Sequence, residues 1–145
     1  MGLILGLDIG GKRTGMAISD ENHIFSFPLQ TVETQQLINQ IKLLMQERNL
    51  EIIVMGLPRN LKNENTDGTK KAQIVFSQLK KNFPQFQIFQ IDERFTSSMA
   101  RKAMVEGGMK KKDREIKENT DKLSATLILQ SFLEQKSRFG IPNNV

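Results

Sequence analysis

The residues best equipped for chemistry stand near the start of the chain, in Gly6-Leu7-Asp8-Ile9-Gly10-Gly11-Lys12-Arg13-Thr14-Gly15. Ahead of them Leu3, Ile4 and Leu5 form a short apolar run that reads as a buried strand. That strand ends by presenting one carboxylate, Asp8, and a carboxylate in apolar company is costly unless something pairs with it. The turn that follows offers bare glycine backbone, two cations and the Thr14 hydroxyl, which together suit a phosphate. A metal ion on Asp8, facing a phosphate held by the turn, accounts for both features at once. The same residues also suit a plain hairpin with Gly-Gly turn chemistry and an aspartate near its mouth. The stretch by itself leaves both readings open.

Two further carboxylates are candidate partners. In the run Phe86 to Glu93, strand alternation puts Phe89, Ile91 and Glu93 on one face and Ile88, Gln90 and Asp92 on the other. Glu93 then emerges at the strand's end, although Asp92-Glu93 also suits the loop before a helix N-terminus. Asp121 falls in the expected first turn of the last helix, where Asn119 or Thr120 is a suitable cap and an acidic residue is favoured in any case. Its helical neighbours Ser124, Ala125 and Ile128 are small or apolar, so this helix is expected to lie close to a sheet.

The elements that must position these residues follow from hydrophobic periodicity. Residues 3–9, 14–19 and 23–30 read as three antiparallel strands, the third an edge strand because it contains Pro28. From Thr31 to Asn49 the pattern becomes helical, with Leu37, Ile38, Ile41, Leu44 and Met45 on one face. Glu51 to Gly56 is apolar on both faces, as expected of a central parallel strand. A polar loop to about Gly68 precedes a second helix, with Lys70 and Lys71 ahead of it and Ala72, Val75, Phe76 and Leu79 on its apolar face. Pro84 stops that helix. The fifth strand leads into a third helix near Thr96, residues 106–118 form a charged loop expected to be mobile, and a last helix spans about Thr120 to Gln135. This order gives an α/β fold with a five-stranded mixed sheet, helices on both faces, and the first strand at its centre between the second and the fourth. Asp8 then stands where ligand crevices open in α/β sheets.

Composition limits the possibilities. The 145 residues make one domain, expected over 1–137 with a frayed tail at 138–145. The chain has no cysteine and a single histidine, His23, which reads as a solvated turn residue. Thiolate chemistry and histidine-based zinc sites are therefore excluded. No apolar run approaches a membrane span, and the N-terminus carries neither a signal-peptide nor a lipidation pattern, so a cytoplasmic protein is expected. A net charge of +5 favours a polyanionic partner.

These motifs together resemble the YqgF family, also called RuvX, small bacterial proteins related to RuvC resolvases. The resemblance runs from about Leu3 to Leu133. It is carried by Asp8 with Gly10 and Lys12-Arg13-Thr14-Gly15, by Gly56-Leu57-Pro58, by Asp92-Glu93-Arg94-Phe95-Thr96-Ser97, and by Asp121 with Ser124 and Ala125. Ser124 departs from the alanine usual there, a small-for-small change. The resemblance implies a ribonuclease H-like fold and a nuclease acting on precursor 16S ribosomal RNA. It also implies Asp8, Glu93 and Asp121 as the acidic, metal-holding site.

Chemistry agrees with that implication. Without a histidine pair or thiolate, water can be activated by two Mg²⁺ or Mn²⁺ ions, which take oxygen ligands such as these three carboxylates. Lys12, Arg13 and Arg94 are candidate phosphate contacts, although either arginine also suits pairing with Glu93 or Asp92. Lys110, Lys111, Lys112 and Arg114 are candidate backbone contacts, although such a run also suits a solvated face. With no tryptophan or tyrosine and most phenylalanines assigned to the core, base stacking on aromatics is not expected. The expected partner is nucleic acid, RNA ahead of DNA. A DNA-junction resolvase, a non-catalytic nucleic-acid-binding module and an ATP-binding kinase-like fragment are the alternatives. The last would need two such domains, and the non-catalytic modules typically lack one of the acidic residues.

Overall fold

The structure is a computed structural model that describes residues 2–57, 67–92 and 117–140. Five strands form one sheet: β1 (Leu3–Ile9), β2 (Arg13–Ser19), β3 (Ser26–Glu33), β4 (Leu50–Leu57) and β5 (Gln87–Asp92). Their order is β3-β2-β1-β4-β5, so β1 is central and β3, which holds Pro28, is an edge. β2 pairs antiparallel with both β1 and β3, whereas β4 runs parallel to β1 and β5. The expected order and strand directions are therefore those observed.

Side-chain alternation splits the core into two layers. Leu5, Leu7, Ile9, Met16, Ile18, Ile53, Met55 and Ile88 face α1 (Leu37–Glu47) and α2 (Asp67–Asn82), which contribute Ile41, Leu44, Ala72, Val75 and Leu79. Ile4, Ala17, Ile52, Val54 and Phe89 face the last described helix, here α3 (Lys117–Phe139), through Ala125, Ile128, Leu129, Phe132 and Leu133. A strand buried on both faces needs no polar alternation, which is why β4 reads as an unbroken apolar run.

Several boundaries differ from expectation. β3 begins at Ser26 and runs to Glu33, because Thr31 and Val32 pair with Gly15 and Thr14 instead of opening a helix. A short 3₁₀ turn, Thr34–Gln36, then leads into α1, which stops at Glu47, two residues short of the expected end at Asn49. Residues 20–25 form a turn in which the Asp20 carboxylate accepts from the backbone N–H groups of Asn22, Ile24 and Phe25. α2 starts at Asp67, so Lys70 and Lys71 lie inside it and not ahead of it. α3 is longer at both ends, taking in Lys117, Glu118, Arg138 and Phe139. It ends at Gly140, whose φ of +77° and N–H to the Lys136 carbonyl (2.8 Å) close the helix in the manner favoured by glycine. The expected helix near Thr96 and the charged loop to residue 116 lie outside the described residues.

His23 is not solvated. It is 6% exposed, and its Nε2 donates to the Gly2 carbonyl at 2.6 Å, tying the β2–β3 turn to the start of β1. Its φ of +58° is a left-handed conformation uncommon for a side-chain-bearing residue, and the bond to Gly2 fixes it there. Two phenylalanines lie outside the core: Phe25 and Phe27, in the β2–β3 turn and edge strand, are 60% and 50% exposed.

Candidate metal and phosphate site

Asp8 lies in β1 on the α3 face, half-buried, one residue short of the strand's end. The neighbouring strands set its surroundings. Asp8 pairs with Gly15 across the β1–β2 ladder. On the other side the last β1–β4 pair is Leu7 with Met55, so the next residue of β4, Gly56, stands level with Asp8. Both glycines lack a Cβ, so no side chain stands directly opposite the carboxylate on either adjoining strand. The Gly56-Leu57-Pro58 motif thereby gains a physical role for its glycine that the sequence did not show.

α3 approaches the same end of the sheet. A Cβ on Gly6 would stand 2.7 Å from Leu129 Cβ and 3.2 Å from the Ala125 carbonyl oxygen, so helix and strand cross in near-contact at this glycine. Ser26 Oγ donates to the Thr126 carbonyl at 2.9 Å. Further along, Gln130, Leu133, Glu134 and Ser137 border a cavity with His23 and Ile24, near Gly2. α3 therefore runs antiparallel to β1, and its first turns lead toward Asp8. Asp121 is the fifth residue of α3, one turn before Ala125 and about 6 Å back along the helix axis. It stands beyond the first turn, where the expectation of a helix-start acid had placed it.

β5 completes the edge. Gly56 pairs with Ile91, and Leu57 with Asp92, so β5 ends level with the end of β1. Phe89 and Ile91 lie on the α3 face and Ile88 on the other, as alternation requires. Glu93, Arg94, Lys110, Lys111, Lys112 and Arg114 lie outside the described residues. Among the described residues no group of three or more histidine, aspartate or glutamate side chains stands together.

The turn between β1 and β2 is built more firmly than glycine content suggests. Gly10 N–H donates to the Arg13 carbonyl at 2.9 Å, and Thr34 N–H donates to the Lys12 carbonyl at 2.9 Å. Thr34 Oγ1 donates to the Gly10 carbonyl at 2.7 Å. Having spent its proton there, it accepts from Thr14 Oγ1 at 2.9 Å. Thr14, read from sequence as a phosphate contact, is fully buried and serves instead as the base of this relay. Thr34 had no motif to mark it; its role arises from the turn at the end of β3. Lys12 is exposed and Arg13 half-buried, and both line a cavity of about 260 Å³ with Thr31, Val32 and Glu33.

The RuvX family, described as Holliday junction resolvase, matches residues 2–135. A protein of Amoebophilus asiaticus, named as a candidate pre-16S rRNA nuclease, is 44% identical over 141 residues, covering 97% of this chain and 100% of its own. A Bacteroides thetaiotaomicron protein with the same name is 42% identical over 136 residues, covering 94% and 99%. Among solved structures, Thermus thermophilus RuvC in complex with a Holliday junction substrate superposes with a TM-score of 0.63 at 10% identity, covering 95% of this chain and 97% of that one. At that identity the likeness concerns the fold, which is the ribonuclease H-like fold.

Proposed function

Because the chain belongs to the RuvX family, we propose that it is a divalent-metal-dependent nuclease that hydrolyses phosphodiester bonds in the maturation of precursor 16S ribosomal RNA. One observation carries the reading: a half-buried carboxylate on the central strand, Asp8, stands between Gly15 and Gly56 at the sheet end toward which α3 leads Asp121. The names of relatives sharing over two-fifths of the sequence across nearly its whole length support the substrate.

The donor set fits a hard cation. Asp8 supplies carboxylate oxygen, the chain has no cysteine, and His23 is committed to Gly2 at the opposite end of β1. In this reading Asp8, Asp121 and Glu93 hold Mg²⁺ or Mn²⁺ through carboxylate oxygens. Bound divalent ions supply an activated water and neutralise charge on the leaving oxygen. Lys12, Arg13 and Arg94 orient the phosphate, and Lys110, Lys111, Lys112 and Arg114 hold backbone away from the reacting bond. Among the described residues no helix is long and apolar enough to cross a membrane.

The test is Asp8→Asn, which removes a charge and almost no volume. It should abolish Mg²⁺- or Mn²⁺-dependent cleavage of precursor 16S RNA and lose the thermal stabilisation that Mn²⁺ confers on the parent, with an unchanged circular dichroism spectrum. Full cleavage by the purified variant would refute the site. Cleavage of a four-way DNA junction in preference to the RNA would transfer the activity to the resolvase reading that the family description suggests.

A further inference from the structure

On the sheet face opposite α3, a groove of about 440 Å³ opens between the start of α1 and the length of α2, with the Gly10-Gly11 turn closing one end. The geometry points to this groove as a binding site for an unpaired nucleotide of the RNA strand, next to the bond that is cut. The inference rests on the nuclease reading for its substrate and adds to it a place for a base outside the carboxylate site.

The groove is built from complementary parts. Ile38 and Ile74 form aliphatic walls, and Ile74, 59% exposed, leaves its apolar surface open along the groove. Gln35 and Gln78 stand on the exposed rim, each offering an amide donor and acceptor of the kind that reads a base edge. Its size falls within that of ordinary small-ligand clefts, about 300–1,000 Å³.

A cation is seated at the closed end. A Cβ on Gly11 would stand 2.7 Å from Lys71 Nζ, so the missing side chain is what lets the ammonium rest on the turn. Among the described residues no carboxylate borders the groove and Lys71 has no acidic partner. An apolar slot with amides on its rim and a positive end matches a base with its phosphate, and it matches an acidic strand better than an apolar helix. Gly10 follows Asp8 by two residues, so the Gly10-Gly11 end of the groove and the carboxylate share one end of the sheet on opposite faces, and an RNA strand crossing that end meets both.

The experiment uses the full chain carrying Asp8→Asn and a short fluorescent single-stranded RNA with one 4-thiouridine, in buffer containing Ca²⁺. Photo-crosslinks should map to residues 35–38 or 71–78. Lys71→Ala should flatten log affinity against log salt by about 0.7. Gly11→Ala should act alike, since the new methyl displaces a flexible lysine tip and not backbone. Ile74→Asp, at an exposed position, should weaken binding about tenfold. Unlabelled single strand should compete, and a duplex of the same sequence should not. Unchanged affinity and slope in the Lys71→Ala and Ile74→Asp proteins, or crosslinks mapping elsewhere, would overturn the proposal. So would Lys71-dependent binding of adenosine monophosphate that the RNA fails to displace. These results leave Asp8-dependent cleavage untouched, whereas RNA bound in the groove by a protein that cleaves nothing refutes the nuclease reading alone.

Discussion

Asp8 stands directly across the β1–β2 ladder from Gly15, on the face that α3 covers. In an antiparallel pair, side chains opposite one another have Cβ atoms about 5 Å apart, so any larger residue at position 15 would occupy the space beside the carboxylate. Gly15→Val should therefore lower metal-dependent cleavage at least tenfold, and Mn²⁺ should stabilise the variant less than the parent. Retained cleavage in a folded Gly15→Val protein would show that the space beside Asp8 is not used.

The contact between Gly6 and α3 gives a second prediction. Gly6→Ala should destabilise the fold by about 1–3 kcal/mol, the usual cost of overpacking, measured by urea unfolding. Leu129→Ala should not rescue it, because the nearest atom is Leu129 Cβ, which alanine keeps, and the next is the Ala125 carbonyl oxygen. Recovery in the double variant would mean that α3 is held away from β1 by the leucine's outer atoms.

The relay from Thr14 through Thr34 to Gly10 is asymmetric. Thr34→Val strands both the fully buried Thr14 hydroxyl and the Gly10 carbonyl, whereas Thr14→Val leaves the Thr34–Gly10 bond in place. The first should cost about 1–3 kcal/mol and the second less, by chemical denaturation. Thr34→Val should also loosen the turn and weaken RNA binding; equal costs would deny the relay its direction.

Asp20 supplies a pH prediction. The Phe25 N–H, and after it those of Ile24 and Asn22, hold its carboxyl below the ordinary value of 3.8, against a smaller opposing effect of burial. A depressed folded-state pKa stabilises the fold fully above the unfolded value, and that contribution disappears as pH falls through the folded value. The stability difference between the parent and Asp20→Ala should thus shrink as pH is lowered from about 5. A difference independent of pH across that range would show that the charge on Asp20 does not matter to the turn.

The sequence by itself determined the order of elements, the sheet topology and the place of Asp8. Those features depend on local patterns: the continuous apolar runs of β1 and β4, the helical spacing of Leu37, Ile41 and Leu44, and the proline that marks β3 as an edge. The ladder alone showed that Gly15 and Gly56 flank the same carboxylate, because register joins residues 8, 15 and 56 across three strands. It likewise overrode the helical reading of Thr31 and Val32, whose pairing partners lie on β2. His23 makes the same point: its polar neighbours in sequence suggest solvent, while its partner, Gly2, lies twenty-one residues away. Lys71 on Gly11 and Thr34 on Gly10 are also contacts between distant segments. Such contacts form only when packing of α1, α2 and α3 on the sheet has fixed which strand ends meet, and no local periodicity encodes them.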